Sequence, residues 1–75
     1  MRKQSEGEMP YSLGSGRVLV VTTKSFRVLT ADEGVLWIPK GQLYEDSDLQ
    51  PDGRRGDEVE EVVVKQWWAE KKGFI

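Results

Sequence analysis

Val35-Leu36-Trp37-Ile38-Pro39-Lys40-Gly41-Gln42-Leu43 is the stretch that decides the fold: an apolar run stopped by a proline and followed by a polar turn. Side chains alternate along a strand, so Val35 and Trp37 face one side of a pleat while Leu36 and Ile38 face the other. With both sides apolar, the run reads as a central strand covered above and below. Pro39 has no N–H to extend a ladder, so pairing should stop there. Lys40-Gly41-Gln42 then turns the chain, and Leu43 and Tyr44 return apolar surface to the core, which predicts a short helical turn or a tight bend over residues 40–44.

Upstream, Arg17 to Thr23 (RVLVVTT) is aliphatic and β-branched, the pattern of a strand. Lys24-Ser25 supplies a turn, and Phe26 to Thr30 (FRVLT) pairs back as a hairpin, with Phe26, Val28 and Thr30 on one face and Arg27 and Leu29 on the other. Asp32-Glu33-Gly34 turns the chain again before Val35. Three consecutive strands with short connections predict an antiparallel meander. Residues 1–16 lack apolar periodicity and are punctuated by Pro10, Gly14, Ser15 and Gly16, which predicts a flexible N-terminal tail ahead of a single small domain at 17–75.

Downstream, Glu45 to Glu58 (EDSDLQPDGRRGDE) reads as a long acidic, exposed and mobile loop. Asp46, Asp48 and Asp52 lack the carboxylate spacing and central glycine of a calcium loop. Val59 to Val64 (VEEVVV) predicts a further strand, and Lys65 to Lys72 (KQWWAEKK) a short helix packed on the sheet. Gly73 suits a left-handed cap, with Phe74 folding back onto Ala69 or Trp68. Neither Lys65 nor Gln66 is a good N-cap. Trp67 and Trp68 lie about 100° apart around the helix, so either one fills the core and the other stands at the helix margin as a partner contact, or, the reading preferred from sequence, both are core in a domain that needs large side chains.

The expected architecture is α+β, mostly β: a small bent antiparallel sheet of four strands, or a partly open SH3-like barrel, with a short C-terminal helix. Its expected core is Val18, Val20, Phe26, Val28, Val35, Trp37, Ile38, Leu43, Val62, Val64, Trp68 and Phe74. Seventy-five residues hold one domain with a small core.

Composition excludes more functions than it suggests. The chain has no cysteine and no histidine, which removes disulfides, thiolate metal sites and the commonest general base. No glycine loop cradles a phosphate, Gly14-Ser15-Gly16 being too short for one. The chain is therefore read as no enzyme, with no cofactor and no metal. No apolar run approaches the roughly 20 residues of a membrane span, and the first residues do not form a signal peptide. A cytoplasmic location is the expectation, with no membrane partner.

The net charge of −2 conceals a division along the chain. Residues 1–30 hold five basic and two acidic groups, residues 31–64 three basic and ten acidic, and residues 65–75 three basic and one acidic. Both ends are basic around an acidic middle.

Two motifs carry a resemblance. Leu36-Trp37-Ile38-Pro39-Lys40-Gly41-Gln42-Leu43, and Val63-Val64-Lys65-Gln66-Trp67-Trp68-Ala69-Glu70-Lys71-Lys72-Gly73-Phe74, are similar to a group of short proteins of phages and other bacterial mobile elements. In that group a strand ends in W-hydrophobic-P-K-S-Q-hydrophobic, and the chain closes in W-hydrophobic/W-A-E-K-K-G-L/F. Gly41 stands where the pattern has serine, and Lys65 where it tends to have a capping serine. The resemblance covers the chain from about Val18 onward and implies a phage-related setting but no activity.

The functional expectation is a non-catalytic binding or regulatory protein. It would hold an unidentified protein partner through the acidic Glu45 to Glu61 region or an exposed tryptophan patch. The alternative is a small β-barrel that binds single-stranded nucleic acid, with stacking and cationic side chains drawn from Arg17, Arg27, Trp37, Lys40, Trp67, Lys71 and Lys72; against it stands a sequence pI of about 5.1. Trp67, Lys71, Lys72, Lys40 and Arg27 are the candidate partner-binding residues. A homodimer through an unpaired strand edge or the tryptophan face is compatible with either reading.

Overall fold

The computed structural model describes residues 9–74. The chain runs through β1 (Pro10–Ser12), β2 (Gly16–Val21), β3 (Ser25–Thr30), β4 (Gly34–Pro39), a 3-10 turn (Lys40–Gln42), β5 (Glu58–Val59), β6 (Val63–Lys65) and helix α1 (Gln66–Lys72). The fold is α+β, mostly β. Strands β4-β3-β2-β5 form one antiparallel sheet in that order, β1 and β6 form a second, and the two do not close into a barrel. No helix among the described residues is long and apolar enough to cross a membrane.

The meander follows from the sequence as expected. Val18 lies opposite Val28, and Phe26 opposite Ile38. All four are buried. The β2–β3 ladder slips by one residue between Val18 and Val20, a bulge at Leu19 that bends the strand. The 3-10 turn then carries Leu43 to a bridge with Val64. This couples the end of the meander to the second sheet.

Four expectations are corrected. First, among the described residues β4 is an edge strand, because β3 alone lies beside it in the sheet order. Its Val35 and Trp37 side chains face away from the core, each 46% exposed, and Val20 on β2 is exposed with them. Leu36 and Ile38 face inward instead. Second, residues 10–16 are not part of a tail: β1 pairs with β6, and Leu13 is completely buried, its N–H donating to Val62 O (2.8 Å) and its carbonyl accepting the Asp32 N–H (3.2 Å). The rest of the expected tail, residues 1–8, lies outside the described residues. Third, VEEVVV is not one strand. Val59 joins β2, while Val63 to Lys65 pair with β1. The break lets one short run serve two sheets.

Fourth, the acidic loop is anchored. Leu49 is buried in the core, and the buried Ser47 Oγ accepts N–H groups from Leu49 (3.1 Å) and Val63 (3.0 Å). Asp48 and Glu61 bond reciprocally: Asp48 N–H donates to Glu61 O (3.1 Å), and Asp48 Oδ2 accepts the Glu61 N–H (3.0 Å). Buried N–H groups need acceptors, and here a loop hydroxyl meets that need at the start of β6.

Gly16 is packed tightly against the segment that leads into β6. A Cβ there would lie 2.5 Å from Val62 Cγ2 and 3.1 Å from Val28 Cγ1, so only glycine fits the contact.

Helix α1 ends as its sequence predicts. Gly73 is left-handed (φ 88°), its N–H donates to Glu70 O (3.1 Å), and Phe74 N–H donates to Ala69 O (3.0 Å). This is a Schellman ending, and the Phe74 ring meets Trp68 edge-on at 5.9 Å. The start has no side-chain cap on Lys65, but Met9 O accepts the Gln66 N–H (2.8 Å). Lys65 already has the extended backbone of an N-cap (φ −70°, ψ 136°). Lys65→Ser should therefore stabilise the domain by about 0.5–1 kcal/mol, measured as a higher urea midpoint at unchanged slope. An unchanged midpoint would mean that a serine at position 65 does not cap the Trp67 or Trp68 N–H.

Candidate docking face on the outer side of the sheet

The alternation that buries Phe26, Val28 and Thr30 on β3 turns Arg27 and Leu29 outward. Two cross-strand rows result on the face opposite the core. One runs Val20, Arg27, Trp37; the other runs Glu58, Arg17, Leu29, Val35. Val20, Leu29, Val35 and Trp37 are exposed large apolar side chains on this one surface. Contiguous exposed apolar surface of this kind marks interaction sites more often than scattered single residues do.

The face is ordered electrostatically. The Arg27 guanidinium carbon lies 5.7 Å from the centre of the Trp37 ring, a cation–π contact across strands. Arg17 Nη1 sits 3.8 Å from Glu58 Oε2, an exposed pair that neutralises one end of the surface. Arg27 has no carboxylate within ion-pair distance among the described residues. The face is thus apolar around one cation held over an indole.

Of the five residues expected at a partner site, three lie over three different rings, and Trp67 and Lys71 lie over none of them. Arg27 covers Trp37, Lys40 Nζ stands 5.0 Å from the Phe26 ring centre, and Lys72 Nζ stands 5.8 Å from that of Trp68. Lys40 and Lys72 shield core aromatics, lying over their rings while the aliphatic stems cover apolar surface. The helix resolves its tryptophan pair: Trp68 is 4% exposed and in the core, whereas Trp67 is 40% exposed. Trp67 and Lys71, four positions apart, share one helix face, which carries a single indole without the aliphatic surround of the sheet.

Trp37, Val20, Leu29 and Val35 are the site members that sequence reasoning placed in the core or left unassigned. Pro39 is the signal that bears on Val35 and Trp37, since proline in a sheet favours an edge strand. No local signal marks Val20 and Leu29, which sit on the interior strands β2 and β3. No group of three or more potential metal ligands occurs among the described residues. No family model matches the chain, and neither does any curated protein or solved structure.

Proposed function

We propose that this protein is a non-catalytic interaction module that holds a protein partner on the outer face of β2, β3 and β4, with Trp37 as its anchor. The observation that carries this reading is the set of four exposed apolar side chains on one face, around an arginine ordered on an indole. Tryptophan and arginine are the residue types that most often dominate binding energy at interfaces. The free Arg27 charge selects a partner whose apolar patch is flanked by a carboxylate. The resemblance of the Leu36–Leu43 and Val63–Phe74 motifs to phage and mobile-element proteins supports a partner from that setting, in the cytoplasm of a bacterial host.

Single-stranded nucleic acid is the second reading, favoured by the Trp37 and Arg27 pair. It is weaker because the neighbours of Trp37 are aliphatic, Arg17 is paired with Glu58, and Lys71 and Lys72 belong to the helix on the core side. A nucleic-acid groove needs several unpaired cations beside its stacking ring.

The test uses Trp37→Ala beside Trp67→Ala. Trp37 is half exposed, so its removal should cost only about 1 kcal/mol, the size of a cross-strand and cation–π contribution. Affinity capture from host lysate should yield a partner that the parent and Trp67→Ala retain and Trp37→Ala loses. A partner lost with Trp67→Ala instead places the site on the helix and overturns the proposal. Saturable quenching by single-stranded oligonucleotides that weakens steeply at about 200 mM salt would favour the second reading.

A further inference from the structure

We infer that a second copy of this chain pairs with the first through the free edge of β4, joining the two sheets across a two-fold axis at Leu36. Lys40 N–H donates to Lys24 O (2.8 Å) at the start of the β3–β4 ladder. Hydrogen-bonded pairs alternate along an antiparallel ladder, so Ile38, Leu36 and Gly34 turn their polar groups to β3. Val35 and Trp37 turn theirs outward. Among the described residues no hydrogen bond outside the ladder engages their backbone groups. Unpaired edges of this kind recruit strands.

The edge is self-complementary. Antiparallel pairing about Leu36 sets Val35 opposite Trp37 of the second copy, and Trp37 opposite its Val35, giving four main-chain hydrogen bonds. Pro39, without an N–H, falls opposite Glu33, whose N–H already donates to Thr30 Oγ1 (3.1 Å). The ladder therefore ends at both sides after the four bonds. On the outer face Arg27, Trp37, Val35 and Leu29 form one row across the joint, with the central positions apolar. No like charges meet there. Beyond the ladder, Lys40 comes beside the tip of the other copy's β3–β4 hairpin, which carries Asp32 and Glu33. Opposite charges thus flank the joint twice, which favours this register over a shifted one. The pairing shares with the docking proposal the exposed Trp37 on an edge strand but does not need its partner, because the outer faces remain open and merge into one platform.

Sedimentation equilibrium of the full chain over a wide concentration range tests the pairing. The parent should show a monomer–dimer equilibrium that weakens with salt. Val35→Lys, a charge on an exposed edge position, should weaken dimerisation at least about tenfold while leaving the melt unchanged at concentrations where the parent is monomeric. Lys40→Glu and Asp32→Lys should each weaken it, and the double exchange should restore it. This restoration also decides the matter if Val35→Lys fails to fold. A parent that stays monomeric throughout, a dimer indifferent to Val35→Lys, or single exchanges that the double exchange does not rescue would each overturn the inference.

Discussion

Replacing Leu13 by alanine is expected to lower the free energy of unfolding by about 2–5 kcal/mol, the range for truncating a fully enclosed leucine. Leu13 is 0% exposed and belongs to the main core cluster with Val18, Phe26 and Val62. Its backbone is equally committed, with the N–H bound to Val62 and the carbonyl to Asp32, so the site cannot collapse around the missing methyls without disturbing both sheets. A domain of this length has only about 4–11 kcal/mol in total, at the usual stability per residue. Leu13→Ala should therefore be partly unfolded at room temperature or melt far below the parent. Denaturant unfolding followed by tryptophan fluorescence measures the difference. A loss under about 1 kcal/mol would mean that the segment before Gly16 is not integral to the domain.

The second large effect belongs to Ser47. Its hydroxyl oxygen accepts two N–H groups, from Leu49 and Val63, and the residue is buried. Ser47→Ala removes one oxygen and strands two donors, each costing about 1–3 kcal/mol when buried without a partner. Some relaxation towards water is available at the loop, so a total of about 2–4 kcal/mol is expected. Asp48→Ala is the control. It removes a single bond to the Glu61 N–H beside an exposed side chain, and should cost less than about 1 kcal/mol. Residue-resolved amide exchange adds a signature: in Ser47→Ala the Leu49 and Val63 amides should lose protection before the β2–β3 ladder does. Equal losses for the two variants would show that the loop is not clasped through the hydroxyl.

These two residues also mark where sequence reasoning stops. The meander was legible because RVLVVTT and FRVLT combine β-branched composition with a clean alternation, and the helix end because Gly73 and Phe74 match a recurrent cap. Leu13 was not, since a single leucine among glycines and serines has no period; its role arises from long-range pairing with Val62. Ser47 was hidden for a related reason. Its bond to the Leu49 N–H is a local turn pattern that polar loops share, whereas its bond to Val63 spans 16 positions. Trp37 was misplaced because hydrophobicity on both faces of VLWI resembles a buried strand, and only Pro39 argued for an edge.

The candidate site was legible in part for the same reason. Arg27 was drawn in as a basic residue on the side of β3 that also carries Leu29, and the structure sets it against Trp37. Lys40 and Lys72 were drawn in by charge alone, and each rests over a core aromatic. Charge identifies a cation, but the fold decides which ring orders it. The outer face is an assembly property of three strands, with its apolar members taken one or two from each.

Both the docking proposal and the edge pairing stand on Trp37 facing solvent from an edge strand. Fluorine NMR of the chain labelled with fluorotryptophan, assigned by single tryptophan-to-phenylalanine variants and titrated with a soluble paramagnetic relaxation agent, tests this directly. The structure predicts strong relaxation of the Trp37 and Trp67 signals and a shielded Trp68. A Trp37 signal as protected as that of Trp68 would contradict the account.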